Sequence, residues 1–126
     1  MQQLYFHPAW EKTISDKDRE LIETLFENTY TNTYDMLTSP LLRAAINHKG
    51  ELLVTVLVHN FTHHATTFKK RSVSISSGDV FIEQTFTIPD FIVAPFTSIP
   101  WTFIFEPNEQ FQSIHLNEIE LEINDF

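Results

Sequence analysis

The sequence predicts a mainly β protein, an antiparallel immunoglobulin-like β-sandwich with one N-terminal amphipathic helix at about 16–29. Three observations lead there. Past residue 40 the apolar residues recur with period two, in short runs broken by turn residues. Before residue 30 one stretch follows a helical period instead. The chain has only two glycines, Gly50 and Gly78, and both fall where the alternation breaks, as turn residues do. Immunoglobulin domains proper pair two cysteines around a core tryptophan. This chain has no cysteine, so the prediction concerns architecture alone.

The helix begins with a recognisable signal. Ser15 can accept from first-turn amides, Asp18 sits three residues on, and Asp16 and Asp18 suit the positive end of the helix dipole. Leu21, Ile22, Leu25 and Phe26 then form one apolar face, which predicts packing on the sheet. A strand near 41–47 leads through the Asn47-His48-Lys49-Gly50 turn into the next. There Leu52, Val54, Val56 and Val58 share one face, and Glu51, Leu53, Thr55, Leu57 and His59 share the other. Apolar residues on both faces predict a central strand. Val73 and Ile75 alternate with serines, and Ser77-Gly78-Asp79 turns the chain into the run Val80, Ile82, Phe86, Ile88. Ile99, Trp101, Phe103 and Phe105 mark another strand. Ile119, Leu121 and Ile123 mark the last, whose other face is Glu118, Glu120 and Glu122, a solvated edge or outer face.

With 126 residues, 42 % of them apolar and twelve of them phenylalanine, the chain suits a single domain spanning 1–126. It should bury roughly two thirds of its unfolded surface. The lack of cysteine excludes disulfides, thiolate metal sites and a cysteine nucleophile. Eight basic residues against seventeen acidic ones give a net charge of -9, the wrong sign for nucleic acid or anionic lipid. No charged leader with an apolar core opens the chain, and no apolar run is long enough to span a bilayer. The expectation is a cytoplasmic protein with no membrane insertion.

Chemistry-bearing residues are few. The stretch Val-His-Asn-Phe-Thr-His-His at 58–64 invites a metal reading through His59, His63 and His64. A zinc site needs three or four convergent ligands. The spacing predicts instead a strand end, with His59 half-buried on the strand and His63 and His64 exposed in the turn. A small-ligand or metal-binding protein using those histidines and surface aromatics is the alternative reading. Glu118, Glu120 and Glu122 line a strand face rather than forming a catalytic dyad, and no nucleophile elbow or phosphate loop is present. The expectation is therefore no enzyme, no cofactor, no metal and no catalytic residue. Phe86, Trp101 and Phe103 are predicted core. The segment Pro89–Phe96 lies between prolines and reads as an edge strand or exposed loop, with Phe91, Ile92, Val93 and Phe96 as a candidate surface for a protein partner. Self-association through an edge strand is a further possibility the pattern allows.

Several stretches carry a family resemblance: FHPAWEKTIS at 6–15, Asp18-Arg19, AINHKGELLVTVLVHN at 45–60, FTIP at 86–89 and SIPWTFIFEP at 98–107. Together they resemble the bacterial SLAP domain, named for the S-layer assembly protein of the accessory secretion system of Gram-positive bacilli. The resemblance spans most of 4–107. Its motif residues, among them His7, Pro8, Trp10, Asn47, Gly50, Asn60, Pro100 and Trp101, are turn formers and aromatics, so it implies structural roles for them. It implies a non-enzymatic protein-interaction module, an accessory factor in protein export or in S-layer or envelope assembly.

Overall fold

A computed structural model describes residues 2–31 and 35–124. In chain order the elements are β1 (Gln3–Leu4), α1 (Pro8–Glu11), α2 (Asp16–Thr29), β2 (Leu37–Thr38), β3 (Leu41–Ile46) and β4 (Leu52–Asn60). There follow β5 (Thr66–Ser77), β6 (Val80–Val93), β7 (Thr97–Phe105), a 3₁₀ turn at Glu109–Ser113 and β8 (Glu120–Ile123). One sheet runs β1-β7-β4-β2, with β3 also paired to β4; the other runs β6-β5-β8. The fold is thus mainly β with two sheets, as predicted. All strand pairs are antiparallel except β1 with β7, which is parallel.

The two sheets share one core. Leu52, Val54, Val56 and Val58 of β4 meet Ile99, Phe103 and Phe105 of β7 on one side of it. Phe68, Val73 and Ile75 of β5 and Phe86 and Phe91 of β6 lie on the other. Aromatic rings knit the layers together: Phe86 meets Phe103 and Phe105 edge-on at 5.3 and 5.2 Å, a favoured geometry. Phe86 and Phe103 are core residues as predicted, while Trp101 is half-buried and packs against the core from its margin. Strand β4 is central, and its second face is covered too: Leu57 and His59 are fully buried.

Helix α2 begins as predicted. The Ser15 side chain accepts from the Asp18 amide at 3.1 Å, which satisfies one orphan first-turn donor. The Asn47–Gly50 turn is built by Asn47, whose Oδ1 accepts from the amides of Lys49 and Glu51, while Gly50 takes φ +81°. Gly78 opens the β5–β6 hairpin at φ +58°, the conformation that the first position of a type II′ turn requires.

Strands β5 and β6 are longer than the sequence suggests, and each changes face midway. In β6 the inward residues are Val80, Ile82, Phe86 and Ile88, then Phe91 and Val93. The parity flips at Asp90, which takes φ +63°. In β5 it flips near Lys70, φ +54°, so that Phe68 and Val73 both point inward. Register shifts between Thr67 and Arg71 mark the bulge. An inserted residue swaps the two faces of a strand beyond it.

Candidate functional site: the groove beside helix α2

Four residues were expected on a partner surface. The β6 bulge decides their fate. Phe91 is 1 % exposed and Val93 fully buried, so neither can meet a partner: Phe91 stacks on Trp101 with ring centres 4.1 Å apart. This corrects the surface reading for both. Ile92 points the other way and is 56 % exposed. Phe96, at φ +53°, lies partly buried with its ring against His63 at 4.9 Å. Segment 89–93 is indeed edge strand, since β6 borders its sheet.

The histidines also separate. His59 is fully buried rather than half-buried, because α2 covers the outer face of β4. His64 is exposed, and His63 is exposed beside Phe96. Among the described residues no group of three or more His, Asp or Glu side chains is placed to hold a metal.

His59 instead ties α2 to the sheet. The Thr29 hydroxyl donates to the Leu25 carbonyl at 2.6 Å, which uses its only hydrogen. At 2.7 Å from His59 Nε2 it must therefore accept, so the imidazole carries its proton on Nε2. Nδ1 is then an acceptor, and the Ser98 hydroxyl donates to it. Ser98 Oγ in turn accepts from Gln2 Nε2 at 2.9 Å. Only the neutral ring satisfies this chain as it stands. Burial pushes the His59 pKa down to about 4. Among the described residues its hydrogen-bond and ring partners are Thr29 and Phe26 of α2, Ser98 of β7 and Phe61, none of which carries charge.

Asn60, fully buried beside it, closes the same corner. Its Nδ2 donates to the carbonyls of His64, Val93 and Ala94 at 2.8, 3.0 and 3.2 Å, and its Oδ1 accepts from the Thr62 amide and hydroxyl. The histidine-rich stretch is thus a strand end and turn held by an asparagine.

Alongside β3, α2 borders a groove. Trp10, Leu21, Ile22, Leu25, Leu42 and Arg43 line it. Its lining is mainly apolar, and Leu21 is 50 % exposed there. One end is fixed by a bidentate pair: both terminal nitrogens of Arg43 donate to the Asp18 carboxylate at 3.0 Å. Those hydrogen bonds hold the Asp18 carboxyl below its usual range. Trp10 is set by α1, where His7 Nδ1 caps the Ala9 amide and Pro8 occupies the first turn. Arg19 binds Glu11 at 2.9 Å and lies over the Phe6 ring, joining α1 to α2.

Neither the groove nor the His59 chain was read from the sequence. A partial signal existed. Leu53, Thr55, Leu57 and His59 form a second, half-apolar face that needed a cover, and the apolar face of α2 was available to supply it.

The sequence model of the SLAP domain matches residues 4–125, nearly the whole chain. The protein belongs to the SLAP domain family. No curated protein matches the chain, and no solved structure does. No helix among the described residues is long and apolar enough to cross a membrane.

Proposed function

We propose that this chain is a non-enzymatic protein-interaction module, acting as an accessory factor in protein export or in S-layer or envelope assembly. The observation that carries the reading is the apolar groove between α2 and β3, open to solvent beside the half-exposed Leu21. Exposed apolar surface gathered in a concave site is a mark of binding. Membership of the SLAP family supports a role at or near the cell surface. Ile92, on the far edge, is a single exposed residue whose neighbours Phe91 and Val93 are buried, so the main contact is assigned to the groove.

The test is site-specific photocrosslinking in the organism of origin. A crosslinking residue at Leu21 or Leu42 should capture a defined protein, while one at Thr85, on the opposite sheet, should not. Equal capture from both positions, or none from either in a folded protein, contradicts the reading.

A further inference from the structure

We propose that the outer edge of β3 is a strand-addition site, and that it takes an extended, basic segment of a partner protein with apolar residues at alternate positions. The inference rests on the interaction-module reading and specifies the partner's chemistry.

Among the described residues strand β3 pairs only with β4. The Asn47 amide donates to the Glu51 carbonyl at 3.0 Å, and Ala45 and Arg43 face Leu53 and Thr55 in the same register. In an antiparallel ladder, hydrogen-bonded and non-bonded pairs alternate. Asn47, Ala45 and Arg43 therefore turn their backbone toward β4, and Ala44 and Ile46 turn theirs outward. Among the described residues no other backbone group bonds to that rim.

The other edges are guarded, β2 by being only two residues long. Strand β8 sets exposed Glu120 and Glu122 along its length. Strand β6 carries Pro89 and the bulge at Asp90. Strand β7 is covered at one end by β1, and further on the Gln84 side chain binds its Ile104 carbonyl and the Glu106 amide. Proline, bulges and charges are how sheets refuse further strands. The β3 sequence Leu-Leu-Arg-Ala-Ala-Ile has no proline and no acid, and its one charge is taken by Asp18.

Space for a strand is already there. Two hollows share Leu41–Arg43 as a wall. One, about 250 Å³, continues to α2; the other, about 380 Å³, continues to Leu116 and Asn117. Successive side chains of an added strand point to opposite faces, one set into each hollow. Helix α2 sets the charge. Inside the groove Asp18 and Arg43 neutralise each other, and the other acids of α2 lie outside it, where its solvent side sets Asp16, Glu20, Glu23 and Glu27 against Lys17. On a chain of net charge -9, a segment bearing lysine or arginine is attracted and an acidic one repelled.

The test uses the full chain, isotope-labelled for NMR, and three short synthetic peptides. The first alternates valine and threonine between terminal lysines. The second replaces the lysines by glutamates, and the third places proline at its centre. The first should slow amide exchange at Ala44 and Ile46 and shift the methyl signals of Leu21 and Leu25. The other two should bind at least about tenfold more weakly. Ala44→Pro removes an outward amide while leaving the β4 bonds, and should abolish the response. Should the proline variant misfold, Leu21→Lys, at an exposed position, sets a like charge against the peptide's lysines and should abolish the protection of Ala44 and Ile46. Methyl shifts without protection of Ala44 and Ile46 overturn strand addition but leave the groove as a protein contact. So does silence toward every peptide when Leu21 still crosslinks a partner in cells. Silence in both experiments overturns the module reading as well.

Discussion

Strands β3 and β8 each border a sheet, and they end it in opposite ways. Strand β8 alternates buried Leu121 and Ile123 with exposed Glu120 and Glu122, so any strand approaching it meets a row of like charges. Strand β3 presents small and apolar residues, a neutralised arginine and an open backbone rim beneath a helix. Both edges rest on the same core, so stability does not require the difference. The bare edge is therefore the one to which we assign the partner strand.

The largest blow to this comparison comes from the shared core. Phe103→Ala removes a ring in contact with Phe68 and Phe86, and should cost about 3–5 kcal/mol in urea unfolding, weakening both edges together. A loss confined to one sheet would mean that the edges do not share their foundation.

Acid should act where α2 is tied to β4 and β7, in the sheet that also holds β3. The folded protein binds a proton at His59 only near pH 4, whereas the unfolded chain does so near 6.5. Between those values the unfolded state holds more protons, so stability falls as pH falls. The contribution is fully present above about pH 6.5 and lost by pH 4, amounting to roughly 3 kcal/mol. His59→Gln should flatten that part of the pH profile in thermal or urea melts. An unchanged slope would mean that the histidine does not hold α2 in its neutral form.

The smallest effect on stability, and the sharpest on the comparison, belongs to β8. Replacing Glu120 and Glu122 by valine touches exposed positions and should change unfolding free energy by no more than about 0.5 kcal/mol. It should nevertheless make the protein associate in light scattering. A variant that stays monomeric would show that the glutamates do not guard the edge.

How much of this was legible depended on whether a residue's neighbours in sequence decide its fate. Helix α2 was, because Ser15, Asp16 and the Leu21–Phe26 face signal locally. Strand β4 and the turns at Gly50 and Gly78 were legible for the same reason. The partner surface at 89–96 was misread for Phe91 and Val93, because a bulge at a single non-glycine residue, Asp90, leaves no trace in an alternation count. The bulge at Lys70 hid the first half of β5 in the same way, because its inward Phe68 does not continue the alternation of Val73 and Ile75. The burial of His59 depended on Thr29 and Ser98, which lie 30 and 39 residues away. The open edge of β3 depended on which strands pair, a property of the whole sheet and not of any window.

The most direct measurement is native-state amide exchange of the free protein, resolved by residue along β3. The account predicts slow exchange for Arg43 and Ala45, whose amides face β4, and fast exchange for Ala44 and Ile46, whose amides face outward. Protection of Ala44 and Ile46 equal to that of Arg43 and Ala45 would mean that the edge is already paired, and would contradict the claim that β3 stands open for a partner.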